Sequence, residues 1–523
     1  MNRRIIGALL LLGIGLGAVI GGYYINLHFG DYTQKATSDA GRTKGKVTIA
    51  VDNWIGYFIL RSPEMKEQMR RSGWLLACED DKADNVQRMK RLKEGAIDLA
   101  VATVDSFILN GAAQGFPGTV IMVIDESKGG DAILSRREDI SGLDSLKGKT
   151  GLRVAYTPRS PSHHLAKAAA YHFSVPELIP PPGENLIEAA GSEDALKNLL
   201  AGRAHVAVLW EPDVSKALAQ PGVRKLIGTE ETERLIVDVL LVGRSFGSKH
   251  PEVVEAVLDS YFRALKKYQD SPEVLRKQVA SETGMSPESV ETMLKGVRWA
   301  NLAENCEQWF GIAPHGGYAE EGLIKTFHAT VRVLINAGDF AGDPIPYNDP
   351  YRLINGSFLE KASSKLMAGF TTAPGAVSPK PPTDSLSERF SPLDSAGWAK
   401  LKEVGTLKID PITFQPGSSD LDTIGKQVVD AAVEMLKHYP KFRVVVKGHT
   451  GTKGDEPANR TLSQELAESV ARYLTVAHNM DPNRMLAVGL GGSRPLPQNP
   501  GESTRAWQYR LPRVEPVLVR EEY

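Results

Sequence analysis

The sequence predicts an α/β protein made of a large module and a smaller α+β module, with an apolar transmembrane helix ahead of both. Three observations carry this expectation. Short β-branched apolar runs alternate with helix-period stretches through the first half of the chain. A segment rich in Pro, Ser and Thr then interrupts the pattern, and a second, shorter alternation follows it. A chain of 523 residues is also too long for one ordinary hydrophobic core.

At the N-terminus, Asn2, Arg3 and Arg4 precede an uncharged run from Ile5 to Tyr24 rich in Leu, Ile, Gly and Ala. About 20 apolar residues cross a bilayer as a helix. Arginines ahead of the run place residues 1–4 in the cytoplasm and the bulk of the chain outside it. The run is long for the apolar part of a signal peptide and lacks a clean small-x-small site after it, so residues 5–24 read as an uncleaved anchor, with a cleaved signal as the alternative. The expected location is a single pass of the inner membrane with the bulk in the periplasm. Residues 32–45 are polar and read as a tether.

Six runs then read as buried strands: residues 47–51, 97–102, 120–124, 152–155, 206–209 and 236–242. Between them, residues 83–94, 163–173, 192–201 and 251–268 show helical periodicity. Strands alternating with helices imply parallel sheets covered on both faces. From 251 to 339 the pattern is mostly helical, and Ser286 offers a capped helix start. Residues 369–394, with Pro374, Pro379, Pro381 and Pro382, cannot bury a core and read as an extended linker. Beyond it, residues 412–414, 442–446 and 484–489 read as strands. Ile424, Val428, Ala432 and Leu436 form one helical stripe, and Leu462, Leu466, Val470 and Leu474 form another.

Composition removes several function classes. The net charge of -1 gives no basic excess, so nucleic acid is not an expected partner. The only cysteines are Cys78 and Cys306, without a CxxC pair or Cys/His cluster, so neither a metal nor another cofactor is expected. A disulfide between them stays open. No GxSxG, P-loop or HExxH pattern is present, and the chain reads as a protein that is not an enzyme.

The polar clusters of the large module fall at strand ends. Asp52-Asn53-Trp54 follows the first strand, and Asp98-Leu99-Ala100 leads through a strand to Asp105 and Ser106. Asp125, Ser127, Gly129, Gly130 and Asp131 open a loop, and Leu146-Lys147-Gly148-Lys149 precedes another strand. Ser160, Ser162, His163 and His164 start a helix, and Trp210-Glu211-Pro212 ends a strand. In this order the chain resembles the substrate-binding proteins of ABC importers, in their nitrate/sulfonate/taurine and thiamine-precursor branch, over residues 46–345. The resemblance implies a two-lobed periplasmic-binding-protein fold with a ligand cleft between the lobes. One eukaryotic branch of that family resembles a single-turnover enzyme with a cysteine-rich motif, which is missing here.

Ligands of open α/β sheets sit beyond the carboxyl ends of the strands. The candidate ligand-binding residues are therefore Asp52, Trp54, Asp105, Asp125, Ser127, Gly130, Ser160, Ser162, His163 and Glu211. Ser160 and Ser162 offer hydroxyls and helix N-terminal N–H groups to an anion. Trp54 offers a flat wall or a cation–π face. Asp52, Asp105, Asp125, Asp131 and Glu211 are many acids for one cleft, and two or three facing inward would call for a positive group on the ligand. Each acid has a plainer reading as a turn former or helix cap, as Glu211 does before Pro212. Gly129 and Gly130 suit a turn near the lobe crossover. His163 and His164 point about 100° apart on a helix and make no ligand pair.

The small module resembles the OmpA-like peptidoglycan-binding domain over residues 405–515. Gly448-His449-Thr450-Gly451, Asn459, Leu462-Ser463 and Gly489-Leu490-Gly491-Gly492 carry the resemblance. It implies a small sheet with helices on one face. The family holds the diaminopimelate of peptidoglycan with an Asp and an Arg, at positions that here are Gly451 and Leu466. Thr450, Gly451, Asn459 and Leu466 thus mark the equivalent site, with both charges gone and an apolar side chain expected in the pocket.

Together these features predict an envelope solute receptor that captures a small polar or zwitterionic molecule. Its expected partners are a small-molecule ligand, the inner membrane, an ABC permease or a signalling partner, and peptidoglycan or an envelope protein through the small module. A structural scaffold with a vestigial cleft is the competing reading.

Overall fold

The computed structural model describes residues 43–183, 185–313, 319–369, 386, 388–415 and 418–521. The anchor expected at 5–24, the N-terminus ahead of it and most of the linker lie outside these residues. Among the described residues no helix is long and apolar enough to cross a membrane.

The first lobe begins with β1 (Gly45–Val51), α1 (Pro63–Arg71), β2 (Trp74–Asp80), α2 (Asn85–Glu94), β3 (Leu99–Thr103), α3 (Val104–Gly111) and β4 (Gly118–Ser127). Asp84 caps α2 through the amide of Gln87, and left-handed Gly95 ends that helix. The chain then crosses to a second lobe: β5 (Asp131–Ser135), β6 (Val154–Tyr156), α4 (Pro161–Phe173), β7 (Leu186–Glu188), α5 (Ser192–Leu200), β8 (Val206–Trp210), α6 (Asp213–Leu218) and β9 (Arg224–Gly228). It returns to the first lobe with β10 (Val237–Gly243), α7 (Pro251–Asp270), β11 (Val297–Trp299) and α8 (Gly322–Asn336).

The first sheet has the strand order β11-β4-β10-β3-β1-β2 and the second β7-β6-β8-β5-β9. Neither is wholly parallel, contrary to the sequence expectation. β10 runs antiparallel to both β3 and β4, and β5 runs antiparallel to both β8 and β9. These are the strands that adjoin the two crossovers. A chain that leaves one sheet and re-enters it from another lobe brings its strand in against the prevailing direction.

The small module is a four-stranded sheet, order β12-β15-β13-β14, from β12 (Lys402–Thr406), β13 (Arg443–His449), β14 (Met485–Gly489) and β15 (Arg513–Arg520). Two further helices accompany it, α9 (Thr423–Leu436) and α10 (Glu456–His478). Residues 412–414 do not form the expected strand, since Phe414 makes only an isolated bridge to Leu421. The stripe on α9 is also rotated. Val429, Val433 and Leu436 are buried, whereas Ile424 is 61% exposed.

One hydrophobic core runs from the second lobe into the small module, joining Phe173 and Leu178 to Tyr439, Phe442 and Val444. Polar contacts reinforce it. The Tyr439 hydroxyl and His172 Nδ1 lie 2.7 Å apart, and Thr406 donates from both N and Oγ1 to Asp144 Oδ2 at 2.9 Å. The Glu233 amide donates to the His438 carbonyl at 2.8 Å, and Arg520 pairs with Glu231 at 2.8 Å. The small module is thus docked on the second lobe and on the return crossover, rather than held off by the linker. Leu386 is 1% exposed, and the Phe390 amide donates to Asp481 Oδ2.

Candidate functional site

The edges of the two sheets face one another across a cavity lined by residues of both lobes. On the first lobe, cross-strand pairing sets Thr103, Asp238, Asp125 and Trp299 in one row. On the second lobe Asp131 pairs with Trp210 at the facing edge. Thr103, Ser106, Tyr57 and Asp238 line the cavity from one side. Asp131, Trp210 and Ser160 line it from the other.

Two crossovers join the lobes, residues 128–130 and 229–236, and a hydroxyl network ties them together. Ser127 Oγ donates to Asp131 Oδ2 at 2.7 Å and lies 2.7 Å from Thr229 Oγ1. Thr229 Oγ1 accepts from the amides of Gly129 and Asp131 at 3.0 and 3.1 Å. Gly130 lets the indole of Trp54 lie against this hinge, because a Cβ there would stand 2.2 Å from Trp54 Cη2.

The electrostatics are those of buried acids. Burial pushes the Asp131 carboxyl up to about 7; Asp105 and Glu211 push in the same direction, against the bond from Ser127. Asp125 and Asp238, paired across neighbouring strands, are both raised, first by burial and then by nearby carboxylates. The hydroxyl of Tyr57 donates to Asp238 Oδ1, and Trp54 Nε1 donates to Asp125 Oδ1 at 3.3 Å. Glu126 differs from these three: Lys128 and Arg298 outweigh burial and hold it below the usual range. Among the described residues no His, Cys, Asp or Glu side chains are grouped to hold a metal ion.

The structure distributes the sequence candidates as follows. Asp52, Trp54 and Ser160 line the cavity. Asp52 is also structural, accepting from the Trp54 amide at 2.9 Å and pairing with Arg88 at 3.0 Å. Ser160 Oγ donates to the Thr157 carbonyl. Asp125 lies behind the indole of Trp54. Ser127 and Gly130 belong to the hinge. Asp105 is buried on α3, where its charge acts on Asp131 and His164. Ser162 is buried with an unpartnered Oγ. His163 stacks on Tyr156 with ring centres 4.5 Å apart, and burial followed by the Lys167 charge brings it down to about 3. Glu211 has the plainer role, accepting from the Ser215 amide and hydroxyl in the first turn of α6.

Asp238, Tyr57, Thr103 and Arg88 were not sequence candidates, and Ser106 stood in a strand-end polar cluster without being one. Asp238 left a signal, as the lone carboxylate in an otherwise apolar strand; a buried charge is more informative than a buried Leu. Arg88 is 1% exposed and pairs with both Asp52 and Asp81, inside a helix whose periodicity gave no hint of it. Cys78 and Cys306 are both free.

In the small module Thr450 is buried, its amide donating to the Gly491 carbonyl at 3.0 Å. A Cβ at Gly451 would meet only Gln508 Oε1, at 3.5 Å. Asn459 Nδ2 donates to the Lys453 carbonyl. Leu466 does not form an apolar pocket wall. It is 7% exposed and belongs to the core beneath α10, since without a charged end nothing draws this side chain outward.

Comparison with known proteins fits this division. Residues 413–507 match the OmpA family. Over 100 residues the chain is 33% identical to the probable lipoprotein YiaD of Escherichia coli, covering 19% of this chain and 45% of that protein. It is 32% identical over 101 residues to the peptidoglycan-binding protein ArfA of Mycobacterium tuberculosis, covering 19% and 31%. The chain thus spans less than half the length of these curated relatives. Similar solved structures include the alkanesulfonate-binding protein SsuA of Xanthomonas axonopodis pv. citri, with TM-score 0.46 and 17% identity over 60% of this chain and 99% of that one. The desulfurization enzyme DSZB has TM-score 0.43 and 12% identity, over 62% and 100%. The chain joins a two-lobed α/β module to a small C-terminal module that matches the OmpA family over residues 413–507.

Proposed function

We propose that the chain is a solute-binding receptor of the cell envelope and not an enzyme. The observation that carries this reading is the cavity at the lobe junction, lined from both lobes and bordered by two cross-tied crossovers. Such an arrangement binds by closing two rigid lobes about a hinge. Its ligand is a small polar or zwitterionic solute, held by the residues that line the cavity, with Trp54 as a wall. Residues 5–24 anchor the chain in the inner membrane, with residues 1–4 cytoplasmic and the bulk periplasmic. The module at 46–345 captures the solute, the segment at 369–394 connects, and the module at 405–515 reaches the cell wall or an envelope protein. A permease or a signalling partner receives the loaded form.

The name of ArfA supports a wall contact by the OmpA-family domain. Gly451 and Leu466 supply neither the anion nor the cation for diaminopimelate, which favours a protein partner or a weaker hold on the wall polymer. A thermal-shift screen of the full chain against sulfonates, amino acids, amines, pyrimidines, nitrate and phosphonates tests the receptor. A ligand at about 100 times its Kd adds about 2.7 kcal/mol. A folded chain that responds to none of these classes would point instead to a scaffold with a vestigial cleft.

A further inference from the structure

The cavity has an excess of carboxylates and, among its lining residues, a single cation that is already committed. Asp52, Asp131 and Asp238 line it, and Asp125 stands opposite Asp238 on the neighbouring strand. The lining cation, Arg88, pairs with Asp52 and Asp81 and donates to the Val101 carbonyl at 3.1 Å. A second feature is independent of the acids. Thr103 and Ser106 line the cavity and are 3% and 1% exposed, and their hydroxyls are buried without a hydrogen-bond partner. Buried hydroxyls are normally satisfied, so two orphans on one wall mark groups that a ligand completes. The remaining walls include the rings of Trp54, Tyr57 and Trp210.

We infer that the cleft takes a small organic cation, whose ammonium group sits between Asp131 and Asp238, donates to the hydroxyls of Thr103 and Ser106, and lies against the aromatic walls. This rests on the receptor reading above. A buried carboxylate is tolerated when it is paired, and a ligand cation supplies the charge that the protein withholds. Ring faces attract the same group. A sulfonate or carboxylate without an ammonium would instead find no free cation on these walls, with the only lining guanidinium already bound.

The same geometry predicts a proton linkage. Facing the cluster are Asp52 and Tyr57 from the segment after β1, Arg88 from α2, Asp105 from α3, Glu126 from β4, Glu211 beyond β8, His164 from α4 and Tyr261 from α7. Without a ligand, burial keeps Asp131 partly protonated at neutral pH. A cation favours its ionised form and expels the proton, so affinity rises with pH. One such group titrating near 7 makes binding about tenfold tighter at pH 8 than at pH 6.

The test is calorimetry and thermal melting of the full chain with putrescine, ethanolamine, methanesulfonate and nitrate at both pH values. The expected result is a response to putrescine or ethanolamine, stronger at pH 8, with protons released into the buffer and the response lost in Asp131→Asn. A response confined to methanesulfonate or nitrate would overturn the cationic ligand and leave the receptor standing. So would a cation response that Asp131→Asn retains, or one that weakens with rising pH. No response to any of the four by a folded chain would overturn this inference, and the receptor reading would then rest on the wider screen.

Discussion

Replacing Asp131 with Asn should stabilise the empty protein at alkaline pH. The native carboxyl titrates near 7 because burial penalises its charged form. In the unfolded chain it titrates near ~3.9. The folded form therefore binds the proton more tightly, and stability falls as pH rises from about 4 to about 7. Three pKa units at about 1.4 kcal/mol each give a penalty of about 4 kcal/mol above that window. Some of this relaxes through the mouth of the cleft, so a gain of about 2–4 kcal/mol is expected at pH 8 and about 1 kcal/mol at pH 4.5. Asparagine keeps an acceptor for Ser127 Oγ, which donates to Asp131 Oδ2 at 2.7 Å. His172 and His438 are both lowered, chiefly by burial, and shift stability the opposite way, which is lost as pH falls through about 6.5. The quantity to read is therefore the difference in melting between variant and parent at each pH. A variant destabilised equally at both would refute the idea that Asp131 is held charged against its environment.

Gly130→Ala should remove ligand responses while leaving a folded chain, because the new Cβ would force the Trp54 indole out of the hinge; thermal shift with and without the ligand found in the screen checks it. Tyr439→Phe should cost about 1–2 kcal/mol in melting experiments, since it strands His172 Nδ1 inside a buried interface. Leu466→Arg should destabilise the small module by about 3 kcal/mol or more rather than restore a wall-binding site, because the side chain lies in the core. Melting together with sedimentation on purified cell-wall sacculi separates these outcomes: a stable variant that gains sacculus binding would return Leu466 to the pocket.

Local pattern alone identified most of the secondary structure around the cleft. β1, β3, β4, β6, β8 and β10 were legible as β-branched apolar runs, and α2, α4, α5 and α7 as helical stripes, because side-chain periodicity is a property of neighbouring residues. The strand-end rule also led to Asp52, Trp54 and Ser160 in the cavity wall. The strands β2, β5, β7, β9 and β11 escaped, and residues 412–414 had strand character but only an isolated bridge, from Phe414 to Leu421.

Tertiary structure decided what the acids do. Tyr57 and Asp238 meet across 181 positions of sequence, and Asp125 faces Asp238 only because the returning strand enters between β3 and β4. Nothing local distinguishes Glu211, spent on a helix turn, from Asp131, left at the cavity wall. The docking of the small module on the second lobe was likewise hidden, since a Pro/Ser-rich linker records only that its own residues bury little. Sequence by itself determined most of the elements around the cleft and their order. The fold determined which buried charges share a space, because that depends on how strands pair across long separations and on which side chains the packed faces leave unsatisfied.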